Sequence, residues 1–208
     1  MKAGNKRDPA KNRGRILASA LGEFARYGLG GARVDRIAAH AGANKRMLYY
    51  YFGNKEDLFL AVLESRYAHI RKAEQGLHLA DLDPAEGVRR LVAFTWNYYL
   101  EHPEFLTLLN SENLHRARHL RRSRQVAAMH SPLVATLSGL LDRGVRKGQF
   151  RRGVDPVQLY ISIAGLGYFY LSNRHTLSTI FQRDLLAARN KSERLRHMTE
   201  LVLGYLSK

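Results

Sequence analysis

Apolar positions recur at helical spacing along the whole of this 208-residue chain. Between residues 34 and 41 they lie three or four positions apart, which places them on one face of a helix. The same spacing continues in longer segments at 58–79, 85–101, 123–148, 156–173 and 191–206, and in short ones at 104–111 and 113–120. No segment alternates apolar and polar residues as a half-buried strand does. The pattern therefore predicts an all-α fold.

The segment 34–56 carries the most specific pattern of helix ends. Gly42 follows the first apolar stripe, at the position where many helices end in a left-handed residue. Asn44 and Asn54 each precede a helical segment, where an asparagine side chain can accept a hydrogen bond from a free amide of the first turn. The segment is therefore predicted to form two short helices joined by a tight turn, with a third helix beginning after Asn54.

Two short helices joined in this way are the layout of a helix-turn-helix, whose second helix enters the major groove of DNA. Leu48 and Phe52 are four residues apart and can face the core, which leaves cations and tyrosines facing outward. The residues expected to contact DNA are Arg33, Val34, Asn44, Lys45, Arg46, Met47, Tyr49, Tyr50, Tyr51 and Lys55.

These residues resemble the TetR family of bacterial transcriptional regulators. The family's spacing is met by Ile37-Ala38, Ala41-Gly42, Leu48-Tyr49, Tyr51-Phe52 and Lys55-Glu56. Ala32-Arg33 stands where the family often has paired threonines, and Ala43-Asn44 replaces its usual Val-Ser. The resemblance implies a three-helix helix-turn-helix domain at residues 1–55, with a basic arm at about 1–9. It also implies a helical effector-binding and dimerisation domain at 56–208.

The charge balance agrees with a double-stranded DNA partner. The chain has 34 Lys and Arg against 18 Asp and Glu, a formal net charge of +16. Residues 1–60 hold 12 of the basic and 5 of the acidic side chains, which leaves +7 there. Because duplex DNA carries about one negative charge per 1.7 Å of its axis, this excess is a strong attraction.

Apolar stripes on the last two long helices predict the surface of a homodimer. A helix-turn-helix protein reads a palindromic operator as a dimer, with half-sites about 34–36 Å apart. TetR proteins typically dimerise through a four-helix bundle of these helices, which favours an interface; the alternative is that both stripes are core of a single protomer. The predicted interface residues are Tyr160, Ala164, Tyr168, Leu171, Met198, Val202 and Tyr205.

Aromatic and polar side chains are concentrated between residues 94 and 116. A small-molecule pocket is mostly apolar with a few placed polar groups, so this segment is a candidate effector site; core packing explains its aromatic residues equally well. The candidate effector residues are Trp96, Tyr99, Phe105, Asn113, His115 and Arg116.

A dense basic run follows between Arg116 and Arg124. It is interpreted as a solvated helix face, as a site for an anionic ligand bound by arginine forks, or as a DNA contact. Residues 101–181 are similar to TetR regulators of heterocycle and nitrogen-compound catabolism. That resemblance implies an aromatic or heterocyclic effector, for which the neighbouring arginines favour a negative charge.

Several functional classes lack their sequence signatures here. The absence of cysteine excludes disulfides and thiolate metal sites and fits a reducing cytosol. The chain has no H-E-x-x-H, phosphate-loop or G-x-S-x-G motif, so catalysis, a metal and a cofactor are not expected. The polar N-terminus does not resemble a signal peptide, and the longest apolar run, 161–171, is shorter than the ~20 residues that span a bilayer.

The sequence thus predicts a cytoplasmic, ligand-responsive repressor without a membrane partner. The alternative is an architectural DNA-binding protein without effector control.

Overall fold

The computed structural model describes residues 9–207, apart from the side chain of Ser131, and these residues form helices and no strand. The helices are α1 (Pro9–Gly31), α2 (Val34–His40), α3 (Lys45–Phe52), α4 (Lys55–Gln75), α5 (Pro84–Glu101), α6 (Pro103–Leu114), α7 (Arg124–Arg146), α8 (Pro156–Ser172), α9 (Arg174–Ile180) and α10 (Ala188–Leu206). Short 3-10 turns lie at Leu79–Asp81 and Leu120–Arg122. The predicted all-α fold is confirmed. The predicted basic arm falls largely on residues 1–8, which lie outside the described residues.

The chain divides into two compact units. The N-terminal unit runs to Tyr67 and includes Thr107–Val126, whereas the C-terminal unit comprises Ala68–Leu106 and the residues from Ala127 onward. The sequence predicted a boundary between residues 55 and 56, but α4 begins there and runs on to Gln75. The first turns of α4 belong to the N-terminal unit because their apolar side chains, Leu58, Phe59, Val62 and Leu63, are buried in its core.

The core of the N-terminal unit joins α1 to the three helices that follow it. Ile16, Ala20 and Phe24 of α1 are fully buried, and the Phe24 ring meets Phe59 edge to face at 5.1 Å. Near its end α1 is interrupted at Gly28, whose φ of 64° lies in the left-handed region that glycine adopts without strain. That break turns the chain towards α2.

The predicted helix ends around α2 and α3 are confirmed. Gly42 has a φ of 57°, as expected of a residue that ends a helix in the left-handed region. The side-chain oxygen of Asn44 accepts a hydrogen bond of 2.8 Å from the backbone amide of Met47. Asn54 accepts one of the same length from the amide of Asp57. The starts of the helices α3 and α4 are therefore both fixed by local hydrogen bonds.

The C-terminal unit is built around α5, which packs against both α8 and α10. Leu91 and Trp96 of α5 are buried in this core, together with Ile163 of α8 and Met198 of α10. The side chains of Asp83 and Asp155 cap α5 and α8 by accepting hydrogen bonds from backbone amides two residues ahead. Both helices begin with proline directly after the cap, as the sequence predicted.

Three segments differ from the expected helices. The helix α4 ends at Gln75 rather than near residue 79, since the chain turns through His78 at a φ of 48°. Residues 113–120 do not form a separate α-helix because Arg116 and Ala117 both have positive φ values, near 55° and 57°. The helix α9 was not predicted; its seven residues are too few to show a clear apolar period.

Two glycines of α7 provide a matched test of packing in the C-terminal unit. A Cβ added at Gly144 would lie 1.9 Å from Cδ2 of the buried Phe150, whereas one added at Gly139 would meet nothing within 4 Å. We expect Gly144→Ala to lower the free energy of unfolding by about 1–3 kcal/mol through overpacking. Gly139→Ala should raise it by about 0.5–1 kcal/mol, because alanine favours the helix. Urea denaturation at a fixed protomer concentration measures both; equal effects would contradict this account of the packing.

Candidate functional site

The recognition helix α3 presents two different faces. Leu48 and Phe52 are buried in the N-terminal unit, while Lys45, Arg46, Tyr49 and Tyr50 are exposed. Tyr50 is 83% exposed, which is unusual for so large an apolar ring. The exposed face combines positive charge with aromatic surface, the chemistry that contacts phosphates and base edges in a DNA groove.

The other residues predicted to contact DNA lie around this face. Arg33 and Asn44 are exposed, whereas Val34, Met47, Tyr51 and Lys55 are half-buried against the core of the unit. The Tyr51 ring packs edge to face on Tyr50 at a centroid distance of 5.4 Å. Their contact with DNA remains a prediction.

The cations of this face differ in how they are bonded within the protein. Lys45 forms an ion pair with Asp35, and Lys55 Nζ donates a 3.3 Å hydrogen bond to the carbonyl oxygen of Ala32. The guanidinium groups of Arg33 and Arg46 have no hydrogen bond or ion pair to any residue in the described range 9–207. These two arginines are therefore the groups most available to bond a partner.

A buried carboxylate that the sequence analysis missed fixes the start of α2. Glu23 is only 6% exposed, and its Oε1 accepts hydrogen bonds from Arg33 N at 2.9 Å and from Arg36 Nε at 2.7 Å. Burial by itself raises the pKa of Glu23, but the hydrogen bonds from Arg36 and Arg33 outweigh it and the pKa is lowered. An ionised Glu23 thus holds the backbone that carries the exposed Arg33 side chain.

The α6–α7 loop (residues 115–123) contains most of the basic run seen in the sequence. Arg118 Nη2 lies 2.5 Å from Glu56 Oε1, and Arg122 forms an ion pair with Asp57. Ser123 Oγ donates a 2.6 Å hydrogen bond to Glu64 of the same helix. At least part of the run therefore bonds the first turns of α4, an arrangement that none of the three earlier interpretations included.

A second buried carboxylate shapes the α6–α7 loop. Oε1 of Glu112 accepts hydrogen bonds of 2.9 Å from the backbone amides of His119 and Leu120, and Oε2 lies 2.5 Å from His119 Nδ1. The His119 ring also packs edge to face on Phe59 of α4 at 5.1 Å. Glu112 and His119 are 2% and 1% exposed, so this group is structural in the N-terminal unit.

A cavity of about 240 Å³ lies within the C-terminal unit. Its wall is formed by the last turns of α4, the 3-10 turn that follows, and the first half of α7. Its polar lining comes from Arg71, Glu74, Gln75, His78, Asp81 and Thr136, and Met129, Pro132 and Leu133 supply apolar surface.

Arg71 and Glu74 form a buried ion pair at the wall of this cavity. Each residue is 5% exposed, and Arg71 Nη1 lies 2.8 Å from Glu74 Oε2 without the alignment of a hydrogen bond. Arg71 Nη2 donates a 2.7 Å hydrogen bond to the hydroxyl of Tyr160 on α8. Burial raises the pKa of Glu74 to about 7, although Arg71 acts in the opposite direction.

The predicted effector residues lie elsewhere. Trp96, Tyr99 and Phe105 are buried in the C-terminal unit, whereas Asn113, His115 and Arg116 belong to the N-terminal unit. None of the six lines the 240 Å³ cavity. Their role in effector binding remains a prediction. Nothing in the sequence indicated Arg71 and Glu74, which resemble any solvated i,i+3 pair on a helix.

The predicted dimer residues separate into two groups. Leu171, Met198 and Val202 are 3%, 0% and 4% exposed, so they are core of the protomer and not available to a second copy. The reason is that α8 and α10 pack on α5, and helical spacing alone does not show which face does so. Tyr160, Ala164 and Tyr168 are half-buried, and Tyr205 is exposed. The large apolar side chains that α8 and α10 do expose are Val157, Ile161, Phe169, Leu201 and Tyr205.

Within residues 9–207 every helix is either too short or too polar to span a membrane. Within the same range no group of three or more His, Cys, Asp or Glu side chains could hold a metal ion.

Comparison with known proteins agrees with the geometry of α2 and α3. Residues 16–62 match the family model described as "Bacterial regulatory proteins, tetR family". Residues 84–202, more than half of the chain, match the model described as "Tetracyclin repressor-like, C-terminal domain".

Individual relatives extend over most of the chain. The transcriptional repressor NicS of Pseudomonas putida is 42% identical over 193 residues, which cover 93% of this chain and 91% of the relative. The repressor SCO4008 of Streptomyces coelicolor is 43% identical over 109 residues, about half of each chain (52% and 53%).

A solved structure shows the same fold. The crystal structure of the transcriptional regulator SCO4942 of Streptomyces coelicolor is similar to it with a TM-score of 0.67 at 25% identity, covering 94% of this chain and 98% of the other. With both family models matched and a relative aligned over nearly its full length, this chain belongs to the TetR family of bacterial transcriptional regulators.

Proposed function

We propose that this TetR-type transcriptional repressor binds a palindromic operator as a homodimer and is released from it by a small-molecule effector. The observation that carries the proposal is the exposed face of α3, where Arg46, Tyr49 and Tyr50 project from a helix whose opposite face is buried. The names of the relatives from Pseudomonas putida and Streptomyces coelicolor, both called repressors, support the direction of regulation.

The residues of the DNA surface divide by the contact each can make. Arg46 lies in the first turn of α3 and its guanidinium has no partner in the described range, so it can form a bidentate contact with guanine in the major groove. Tyr50 and Arg33 lie at exposed positions suited to phosphate contacts, which position the protein without reading sequence. Lys55 has a second task, because its ammonium group bonds the Ala32 carbonyl that precedes α2.

The homodimer is proposed to form through the exposed apolar side chains of α8 and α10. Ile161 and Phe169 are more than half exposed, and Leu201 and Tyr205 nearly so. Two-fold contact between two helices of one protomer and the same two of another would cover this surface on both. The small residue Gly165 allows close approach of the helices at its centre.

Effector control requires that the ligand bind one dimer arrangement more tightly than the other. A difference of about 2.7 kcal/mol in the free energy of ligand binding shifts the equilibrium between the two arrangements a hundredfold. The half-site spacing of the favoured arrangement then no longer fits the operator. The helix α4 is a suitable covalent path for this change, because its first turns lie in the N-terminal unit and its last turns border the 240 Å³ cavity.

Base reading by Arg46 is testable with DNA selected from a random-sequence library by the wild-type protein. We expect Arg46→Ala to weaken binding to the selected duplex by about 1–3 kcal/mol and to random duplex by less. Tyr50→Ala should weaken both to a similar extent, as loss of a phosphate contact does. Arg146→Ala, which removes an exposed cation from α7, serves as the charge-matched control. Fluorescence anisotropy titrations measure the affinities. An equal loss of affinity for both duplexes in Arg46→Ala would show that Arg46 does not read a base.

The dimer surface is testable with glutamate at exposed positions. Ile161→Glu and Phe169→Glu should leave the protomer folded, because both side chains lie outside its core. In the dimer each would bury an unpaired carboxylate, so we expect monomers and weaker operator binding. Leu114→Glu, at an 84% exposed position of α6, is the matched control. Light scattering gives the molar mass, and dimers of both variants at micromolar concentration would show that another surface is used.

The raised pKa of Glu74 predicts how stability changes with pH. Between its ordinary value of 4.5 and about 7 the folded protein retains a proton that the unfolded chain loses, so stability falls as pH rises. The decline is about 1.4 kcal/mol per pH unit and amounts to about 3 kcal/mol over the window. The Glu74→Gln variant removes only this titrating group. It keeps the other charged or titratable residues that face Glu74 or share its cavity, which are Arg71, Tyr160, His78 and Asp81.

Between pH 4.5 and about 7 we expect the free energy of unfolding of wild type, relative to that of Glu74→Gln, to fall by about 3 kcal/mol. Urea denaturation at a series of pH values and one protomer concentration measures it. Parallel pH profiles of the two proteins would contradict the raised pKa.

A further inference from the structure

Beside the cavity of the C-terminal unit, a buried ion pair has polar atoms that lack aligned hydrogen bonds. Arg71 Nε and Nη1 and both carboxylate oxygens of Glu74 are buried and have no hydrogen-bond partner in the described structure. Buried polar groups are nearly always hydrogen-bonded, because leaving one unpaired is expensive. Both residues also line the 240 Å³ cavity. Donors and acceptors of this kind beside a cavity indicate a binding site.

We propose that this cavity binds a small, uncharged molecule of amide type, which donates an N–H to the carboxylate of Glu74 and accepts a hydrogen bond from the guanidinium of Arg71. The site and its ligand class follow from the residues of the cavity. That binding releases operator DNA rests in addition on the function proposed above.

The charges around the cavity select an uncharged ligand. Above about pH 7 an anion placed beside Arg71 would face the ionised Glu74, whose Oε2 lies only 2.8 Å from the guanidinium; Asp81 lies in the same lining. A cation placed beside Glu74 would face Arg71. Since an ion would meet a like charge in either position, the best ligand carries a donor and an acceptor side by side without net charge. This inference differs from the anionic effector that the arginine-rich sequence favoured.

The size of the cavity selects a small ligand. A volume of about 240 Å³ lies below the roughly 300–1,000 Å³ of pockets that hold drug-sized molecules. The apolar lining of Met129, Pro132 and Leu133 would cover the ring or short hydrocarbon part of such a molecule. A six-membered cyclic amide has this combination of an apolar ring and one polar edge.

The Glu74 side chain must rotate to contact the ligand. Its oxygens are covered in the structure, so the carboxylate rotates about its terminal bonds towards the cavity to accept the N–H. That hydrogen bond favours the ionised form. Since burial otherwise raises the pKa of Glu74 to about 7, binding releases a proton near neutral pH and tightens as the pH rises.

The test compares four small six-membered rings that differ in charge and in hydrogen-bonding groups. These are 2-piperidinone, N-methyl-2-piperidinone, piperidine as the cation and cyclohexanecarboxylate as the anion. Saturation-transfer NMR with the full-length wild-type protein gives each dissociation constant. We expect 2-piperidinone to bind at least about tenfold more tightly than the other three, as loss of a hydrogen bond to a charged group predicts. Its affinity should rise about tenfold between about pH 6 and pH 8.

Two variants assign the binding to the cavity. Glu74→Gln keeps the shape of the side chain and should weaken 2-piperidinone binding about tenfold and remove its pH dependence. Gln75→Ala, an exposed neighbour in the same lining, should leave the affinity within about twofold, because no charged hydrogen bond is lost. Circular dichroism checks the fold of each variant. The comparison of the four rings on wild type needs no variant, so it stands even if Glu74→Gln fails to fold.

The outcomes separate this inference from the proposed function. Three results would overturn the ligand class. They are equal or tighter binding of the N-methyl, cationic or anionic ring, no saturable binding of any ring, and an unchanged affinity for 2-piperidinone in Glu74→Gln. If 2-piperidinone binds as expected but leaves selected operator DNA bound in an anisotropy titration, the site stands and effector release fails. If the wild-type protein selects no DNA from the random library while the ring binds, the repressor function fails and the site still stands.

Discussion

Burial of Leu48 and Phe52 is the interaction on which the exposed face of α3 depends. The recognition helix has eight residues, fewer than the roughly 12–15 that an isolated helix needs to be stable in water. Its exposed cations and tyrosines can therefore keep their spacing only while the opposite face is packed in the N-terminal core. The hydrogen bond from Met47 N to the Asn44 side chain and the turn at Gly53 add local support at the two ends.

Buried carboxylates organise the parts of the N-terminal unit that helical packing does not reach. Glu23 holds the backbone at the start of α2, and Glu112 gathers the amides of His119 and Leu120 at the end of the α6–α7 loop. Each carboxylate is surrounded by donors, so its burial is compensated. The consequence is that the backbone carrying the exposed Arg33 and the loop carrying Arg118 and Arg122 are each held by a buried carboxylate.

The C-terminal unit contrasts with this pattern at one place. Arg71 and Glu74 are buried like Glu112, at 5% exposed each against 2%, yet most of their polar atoms have no hydrogen bond in the described structure. A half-satisfied buried pair is a poor source of stability, because removing charges from water is expensive. The pair lies on α4, a helix shared with the N-terminal unit, and lines the 240 Å³ cavity.

The sequence by itself determined the helical fold, the ends of α2, α3 and α5, and the outward face of α3, because these depend on local spacing and on caps one to three residues away. It did not determine which faces of α8 and α10 are buried: Leu171, Met198 and Val202 have the spacing of an interface, but the protomer's own core covers them. Nor did it show that Arg118 bonds Glu56, 62 residues earlier, or that Arg71 reaches Tyr160, 89 residues later. Such contacts join distant parts of the chain, and only the tertiary structure decides them, since the residues involved look like ordinary solvated charges in the sequence.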